Sequence, residues 1–238
     1  MIRKCISIIG FMMVWQIVAF IVNKPIILPF PFEVITKMIE QLSDSSFYLA
    51  ILYTLMRTFI SFIIALILGI TLGLISGLSK KCKEYILPVI SILQTIPQIA
   101  YILIILFWFS SLTSMIIIVC LMLIPVFYYN TLNGIENINP ELQDIILLYH
   151  QPLSYTIPKI YLPLIKSHIV SAIDTCLPLS LKIGVMAEIF VQTNYGIGSK
   201  LYLARTQIDM VSIIALTIWM IIIILIITEL YRYIIFKK

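Results

Sequence analysis

The sequence is short of charged residues. Only 11% of its 238 residues are Asp, Glu, Lys or Arg, whereas 61% are apolar, and the mean hydropathy is +1.10. A soluble domain carries about a quarter charged residues, so most of this surface must face lipid. Because lipid offers no hydrogen bonds, the backbone must satisfy itself in helices or a closed barrel. The apolar stretches are continuous rather than alternating, which excludes a barrel and predicts an all-α polytopic membrane protein.

Several kinds of chemistry lack the residues they need. The only two histidines, His150 and His168, belong to no ligand cluster, and no nucleophile stands beside a base. The phosphate-loop pattern G-x-x-x-x-G-K-[ST] is absent, so the chain is not expected to hydrolyse ATP or to bind a cofactor. The net charge of +5 comes without a basic cluster that includes aromatic residues, so no nucleic-acid partner is expected. Four scattered cysteines are interpreted as reduced apolar residues: Cys5, Cys82, Cys120 and Cys176.

What the sequence has in abundance is long apolar runs. A spanning helix needs about 20 apolar residues, and the 51 residues from Tyr85 to Ile135 are uncharged, enough for two spans with a turn at 110–114. The first run follows Arg3 and Lys4, as in a signal peptide, but it is too long and lacks a small-residue cleavage site, so we expect it to be retained. One transmembrane domain, 1–238, is predicted, with spans at about 5–23, 54–78, 86–109, 113–131, 169–193 and 210–232.

The basic residues predict the orientation of these spans. With both termini in the cytoplasm, ten Lys and Arg residues lie inside and four outside, as expected for a multi-pass protein of the cell membrane. Residues 31–44 then lie outside, and five of them place an apolar face on a helix at the membrane interface: Val34, Ile35, Met38, Ile39 and Leu42.

Small residues repeat at intervals of four along the second predicted span. Ser61, Ala65, Gly69, Gly73 and Gly77 form one stripe that allows another helix to approach closely. The stripe is expected to pack inside one bundle, and a subunit interface is the alternative.

The longest stretch outside the membrane is residues 133–167, here called the connecting segment. Asn139-Pro140-Glu141 predicts a helix start, and an apolar face follows at i, i+3, i+4 and i+7: Leu142, Ile145, Ile146 and Tyr149. Pro152 closes this helix, and Pro158 is expected to limit a second short helix to about two turns. The pattern predicts a helix-turn-helix docking surface in the cytoplasm.

The connecting segment resembles the cytoplasmic signature of the permease subunits of type I ABC importers, in the branch for nitrate, sulfonates, taurine and thiamine pyrimidine precursors. In ELQDIILLYHQPLSYTIPKIYLP, Asp144 takes the family's Glu position, Ile160 its Ile, and Leu162-Pro163 its closing pair. The stretches LPFPFEV, GITLGLISGLSKK and VMAEIFVQTNYGIGS resemble other family segments, in order. Ile145-Ile146 and His150 depart from the family's Ala-Ala and Gly, and Pro158 is unusual within the second helix of the signature.

The resemblance implies two permease copies, expected to be a homodimer, two cytoplasmic ATP-binding subunits and an external binding protein. ATP used by the partner would rock the spans between outward-open and inward-open states. The residues implied to contact the ATPase are Glu141, Asp144, His150, Gln151, Pro152, Ser154, Tyr155, Ile160, Leu162 and Pro163. Two other classes are the alternatives: a six-span vitamin-capture subunit, which would lack this segment, and a membrane-embedded enzyme, which would need converging acids or histidines.

Three charged residues fall within the predicted fifth span. Asp174, Lys182 and Glu188 are costly in lipid and should face protein or a water-filled path. One interpretation places them along the translocation path, with Lys182 attracting an anionic solute. The other has neighbouring helices satisfy them.

Overall fold

A computed structural model describes residues 2–148 and 151–236, with side chains from residue 9 onward except those of 147 and 236. Every regular element in this part of the chain is helical, which confirms the predicted all-α class. Twelve helices and one π-helical turn are described, in this order: α1 Ile2–Val22, α2 Pro31–Leu42, α3 Ser45–Leu78, α4 Lys80–Thr95, α5 Gln98–Trp108, α6 Ser111–Glu136, α7 Pro140–Leu148, α8 Leu153–Thr156, the π-turn Ile157–Tyr161, α9 Leu162–Leu164, α10 Lys166–Val191, α11 Ile197–Thr206 and α12 Met210–Phe236.

Four of the described helices, α3, α6, α10 and α12, are long and apolar enough to cross a membrane. The bent pair α4–α5 makes a fifth candidate if it counts as one span, and Ile9–Val22 is a shorter apolar helix. The ends of α3 and α12 are fixed by aspartates just before them. Asp44 Oδ1 accepts from Ser46 N at 2.8 Å, and Asp209 Oδ1 accepts from Ser212 N at 2.9 Å, which satisfies donors that a helix start leaves without partners.

Within the predicted span 86–109 the chain breaks between α4 and α5 and turns by 101°. Pro97 disfavours the helical conformation at Ile96, whose ψ of 129° is extended. The Tyr101 hydroxyl donates to the Leu93 carbonyl, which the break leaves without its helical donor.

The described residues form two compact units. The first unit comprises those up to Leu55 and from Glu188, and the second comprises Met56–Ala187. In the first unit α2 packs against α1 and α12, and α11 packs against α12; Phe47 is buried there, with its ring 5.6 Å from that of Trp219. In the second unit α6 is central, because α4 and α5 pack against it.

Candidate functional site

An apolar core within the second unit anchors the connecting segment. Ile135, Ile138 and Ile165 are buried together, and partly buried side chains pack around them: Leu74, Tyr161, Leu162 and Ile169. Gly134 allows this close packing, since a Cβ there would lie 3.0 Å from Ile165 Cβ. The end of α6 and the start of α10 are therefore joined by direct packing, with the rest of the segment between them.

Polar contacts fix the first helix of the segment, α7. Asn139 Oδ1 accepts from Glu141 N at 3.0 Å, as its predicted role as a helix start requires. Gln143 Nε2 donates to the Ile138 carbonyl at 3.1 Å, which satisfies an acceptor between α6 and α7. On the neighbouring α4, Lys83 forms an ion pair with Glu136.

The second part of the segment departs from the prediction at Pro158. The chain stays helical from Leu153 to Leu164, through α8, the π-turn and α9, instead of ending near Pro158. A proline removes one i→i−4 hydrogen bond and its ring collides with the carbonyl four residues back. A π-turn shifts the pairing by one residue: Leu162 N donates to the Ile157 carbonyl, five residues back. The proline is thus accommodated within the helical path.

The outer surface of the segment exposes large apolar side chains. Leu148 is 74% exposed and Leu153 59% exposed, and both line an open groove together with Asp144, Gln151 and Tyr161. Lys159 Nζ lies 4.5 Å from the centre of the Tyr155 ring. Exposed apolar residues in one groove with a carboxylate and an amide are typical of a protein-binding surface.

The predicted ATPase-contacting residues lie on this surface to different degrees. Ile160 and Leu162 are half-buried, Leu162 against the apolar core, and His150 lies outside the described residues. The other predicted contacts are exposed: Glu141, Asp144, Gln151, Pro152, Ser154, Tyr155 and Pro163.

The glycine stripe of α3 faces α6 of the same chain. Cβ atoms added at Gly73 and Gly77 would lie 2.6 Å from Thr131 Cβ and 2.5 Å from Ile135 Cδ1, and one at Gly69 would meet Phe127 and lie 3.0 Å from the Ile124 carbonyl. Cys120 Sγ also donates to the Ser61 carbonyl at 3.2 Å. In the described chain the stripe is therefore a helix-packing surface inside one bundle.

The three charged residues of the predicted fifth span, all on α10, have three different environments. Lys182 is exposed and Asp174 is half-buried, whereas Glu188 has no exposed surface. Glu188 Oε2 accepts from Thr54 Oγ1 at 2.8 Å and from Gly198 N at 3.0 Å. A position for Glu188 along a water-filled path does not fit this burial, because protein groups donate hydrogen bonds to its carboxylate. Satisfaction by neighbouring segments, the other interpretation, fits it.

The sequence did not identify Thr54 and Gly196 as residues that surround the Glu188 carboxylate. Thr54 is 1% exposed although it lies in an apolar helix, and Gly196 has a φ of +153°. The sequence signals that could have identified them are a polar residue within an apolar span and a glycine in the loop after a span that contains an acidic residue. Their pairing could not be derived, because Thr54 and Glu188 are 134 residues apart in the chain.

No group of His, Cys, Asp and Glu that could hold a metal occurs among the described residues. The described residues form apolar spanning helices that pack tightly through small residues, and the connecting segment between α6 and α10 exposes apolar and polar side chains. These features define a class of protein: the membrane-embedded subunit of a transporter.

Comparison with known proteins identifies the family. Residues 65–237 match the family described as the binding-protein-dependent transport system inner membrane component. The chain belongs to this family, the permease subunits of ABC importers, and the predicted resemblance and permease function are confirmed.

Two relatives lie in the predicted branch. A Bacillus subtilis (strain 168) protein named as an aliphatic sulfonates transport permease, SsuC, is 23% identical over 195 residues, covering 81% of this chain and 70% of that protein. The formylaminopyrimidine transport permease protein ThiX of Halalkalibacterium halodurans (strain C-125) is 24% identical over 199 residues, covering 83% and 79%.

Proposed function

We propose that the connecting segment is the surface through which a separate cytoplasmic ATP-binding subunit drives this permease. The observation that carries the proposal is the exposed groove of the segment, in which Leu148 and Leu153 stand beside Asp144. Burying apolar side chains against a partner is favourable by about 25 cal/mol per Å². The carboxylate of Asp144 orients that contact through electrostatic complementarity with the partner. The apolar core at Ile135 and Ile165 ties the groove to α6 and α10, so a force applied there reaches two spanning helices.

The remaining parts of the transporter follow from the same proposal. ATP is bound and hydrolysed by the partner and no cofactor is bound by this chain. A second copy completes the membrane pore as a homodimer, and both termini face the cytoplasm. An external binding protein delivers the solute, which we infer to be a small organic molecule of the kinds carried by the two relatives, an aliphatic sulfonate or a pyrimidine precursor.

The exposed Lys182 and half-buried Asp174 are proposed to face the path of the solute. An exposed lysine on a membrane span is costly against lipid, and the second copy or a water-filled path removes that cost. A chain with so few charges is expected to keep this one for an anionic solute group.

The test compares two variants of the groove with a matched control in the assembled transporter. Asp144→Asn and Leu153→Ala are each expected to reduce transport-coupled ATP hydrolysis about tenfold, because interface contacts of this kind contribute roughly 1–2 kcal/mol. Glu229→Gln on α12 also neutralises an exposed carboxylate, paired at 3.7 Å with Arg232, and is expected to have no effect. Coupled hydrolysis at the wild-type rate in both groove variants would refute the docking role.

A further inference from the structure

Within the first unit, the carboxylate of Glu188 caps the N-terminal turn of α11. A helix leaves its first four N–H groups without intrahelical partners. Gly198 N donates to Glu188 Oε2 at 3.0 Å, and Ile197 N donates to Thr54 Oγ1 at 2.9 Å. Thr54 Oγ1 donates in turn to Glu188 Oε2 at 2.8 Å. One buried carboxylate and one buried hydroxyl therefore bind two of the four donors, and the negative charge suits the positive end of the helix dipole.

The loop before α11 leaves room for the Glu188 carboxylate because it has a glycine at position 196. At Gly196 φ is +153°, and a Cβ there would lie 2.5 Å from Glu188 Cδ. Only glycine fits both the backbone conformation and the close approach. On the exposed side of the same loop, the ring of Tyr195 stacks on Tyr53 at 5.4 Å. The loop is thus held from its buried and its exposed side by neighbouring residues of α3.

Helix α11 forms one wall of a charged groove with α2 and α12. Lys200 Nζ donates to Asp44 Oδ2 at 3.0 Å and to Ser46 Oγ at 2.7 Å. Five charged side chains and two amides line this groove: Lys37, Glu40, Asp44, Lys200, Asp209, Gln41 and Gln207. In a chain with 11% charged residues, so many in one groove indicate an aqueous, polar surface rather than contact with lipid tails.

We propose that Glu188 and Thr54 are positioning residues that hold α11 so that this groove can receive the external binding protein. The inference rests on the proposed function: if both termini and the connecting segment face the cytoplasm, the loops that contain α2 and α11 lie on the outer side. A water-soluble protein is the occupant that fits, because charged side chains of both signs can pair with a soluble partner and cannot be satisfied by acyl chains. The two residues act through α11 and do not contact the solute.

Thr54 provides the sharper test, because two substitutions separate its hydroxyl from its shape. Thr54→Val keeps the volume and removes the hydroxyl, whereas Thr54→Ser keeps the hydroxyl. Thr71→Val is the matched control on the same helix, since Thr71 Oγ1 donates only to the Ile67 carbonyl of its own helix at 2.7 Å. Glu188→Gln is a second probe of the same contacts and preserves the side-chain size.

The variants are assayed in nanodiscs with the ATPase subunit and increasing amounts of the cognate binding protein. Thr54→Val and Glu188→Gln are expected to raise the binding-protein concentration for half-maximal ATPase stimulation about tenfold. Basal ATPase and the maximal rate are expected to stay at the wild-type level, as are all values for Thr54→Ser and Thr71→Val. Hydrogen exchange of the Ile197 and Gly198 amides should also be about tenfold faster in Thr54→Val.

The outcomes separate this inference from the proposed function. A wild-type transporter that the binding protein does not stimulate would contradict both. Stimulation that is the same for Thr54→Val and Thr54→Ser would overturn the positioning role and leave the proposed function standing. Faster amide exchange without a change in the half-maximal concentration would also overturn it, because the contacts would then hold the loop without serving the binding protein.

Discussion

Asp44 combines a helix cap with an ion pair at the start of α3. Its carboxylate accepts from the backbone and hydroxyl of Ser46 at 2.8 and 2.5 Å and from Lys200 at 3.0 Å. The hydrogen bond from the Ser46 side chain is the largest cause that lowers the pKa of Asp44 to about 2, followed by that from Lys200. At Asp209 burial opposes ionisation, but hydrogen bonds from Ser212 still bring the pKa of that carboxyl below its usual value.

This lowered pKa predicts how stability depends on pH. Since the folded-state pKa of Asp44, about 2, is below the ordinary value of 3.8, its stabilising effect is complete above 3.8 and is lost as the pH falls through about 2. Melting temperatures in detergent should therefore be higher for the wild type than for Asp44→Asn from pH 7 to 4, and should converge near pH 2. A difference that persists unchanged at pH 2 would show that ionised Asp44 is not its source.

Single residues also mark the limit of what the sequence predicts. The charge of Glu188 in an apolar run was enough to predict that it faces something other than lipid. Choosing between a water-filled path and a protein partner required the position of Thr54, which depends on the packing of α3 and not on any local pattern. Lys182 shows the converse, because it is exposed on α10 and its proposed role depends on the assembled transporter.

At the scale of elements, the contact between α3 and α6 depends on the absence of side chains. A Cβ at Gly73 would lie 2.6 Å from Thr131 Cβ and 3.0 Å from the Tyr128 carbonyl. Neither atom belongs to the flexible end of a side chain, so α6 itself would have to move. Close approach of helices through small residues is the main source of packing energy in lipid.

Gly73→Ala is therefore expected to destabilise the protein even though alanine favours helix. The gain in helix propensity is about 1 kcal/mol, whereas overpacking costs about 1–3 kcal/mol, so the melting temperature in detergent should fall. Gly10→Ala on α1 is the matched control, because nothing lies within 4 Å of the added Cβ; its melting temperature should stay equal or rise. A fall of equal size in both variants would rule out the α3–α6 contact as the cause.

Helix positions were predictable where an apolar run ends at a charge or a cap. The start of α7 after Asn139 and the start of α12 after Asp209 follow local rules of this kind. The break at Ile96-Pro97 lies inside an uncharged run, so hydropathy alone did not distinguish a straight span from a bent one. The π-turn at Pro158 was missed for a related reason. A proline predicts that the regular i→i−4 hydrogen bonding is disrupted. Packing against the neighbouring core then decides whether the helix ends there or continues as a wider π-helical turn.

At the scale of the whole molecule, the chain separates surfaces by their chemistry. The spanning helices expose mainly apolar side chains such as Phe59, Ile67 and Ile226, which suits lipid. Charged and polar residues gather instead at the groove beside α11 and at the connecting segment. A permease of this family depends on partners for both energy and solute, and we infer that these two surfaces serve those two partners.

The central claim is that the connecting segment binds the ATP-hydrolysing subunit, and site-specific photo-crosslinking in native membranes tests it most directly. A photoreactive phenylalanine replaces Leu153 in the segment, or Leu203 on α11 as a control; the two side chains are 59% and 55% exposed. The account predicts that position 153 crosslinks to an ATP-binding subunit and position 203 does not. An ATP-binding subunit captured equally from both positions, or from neither, would contradict it.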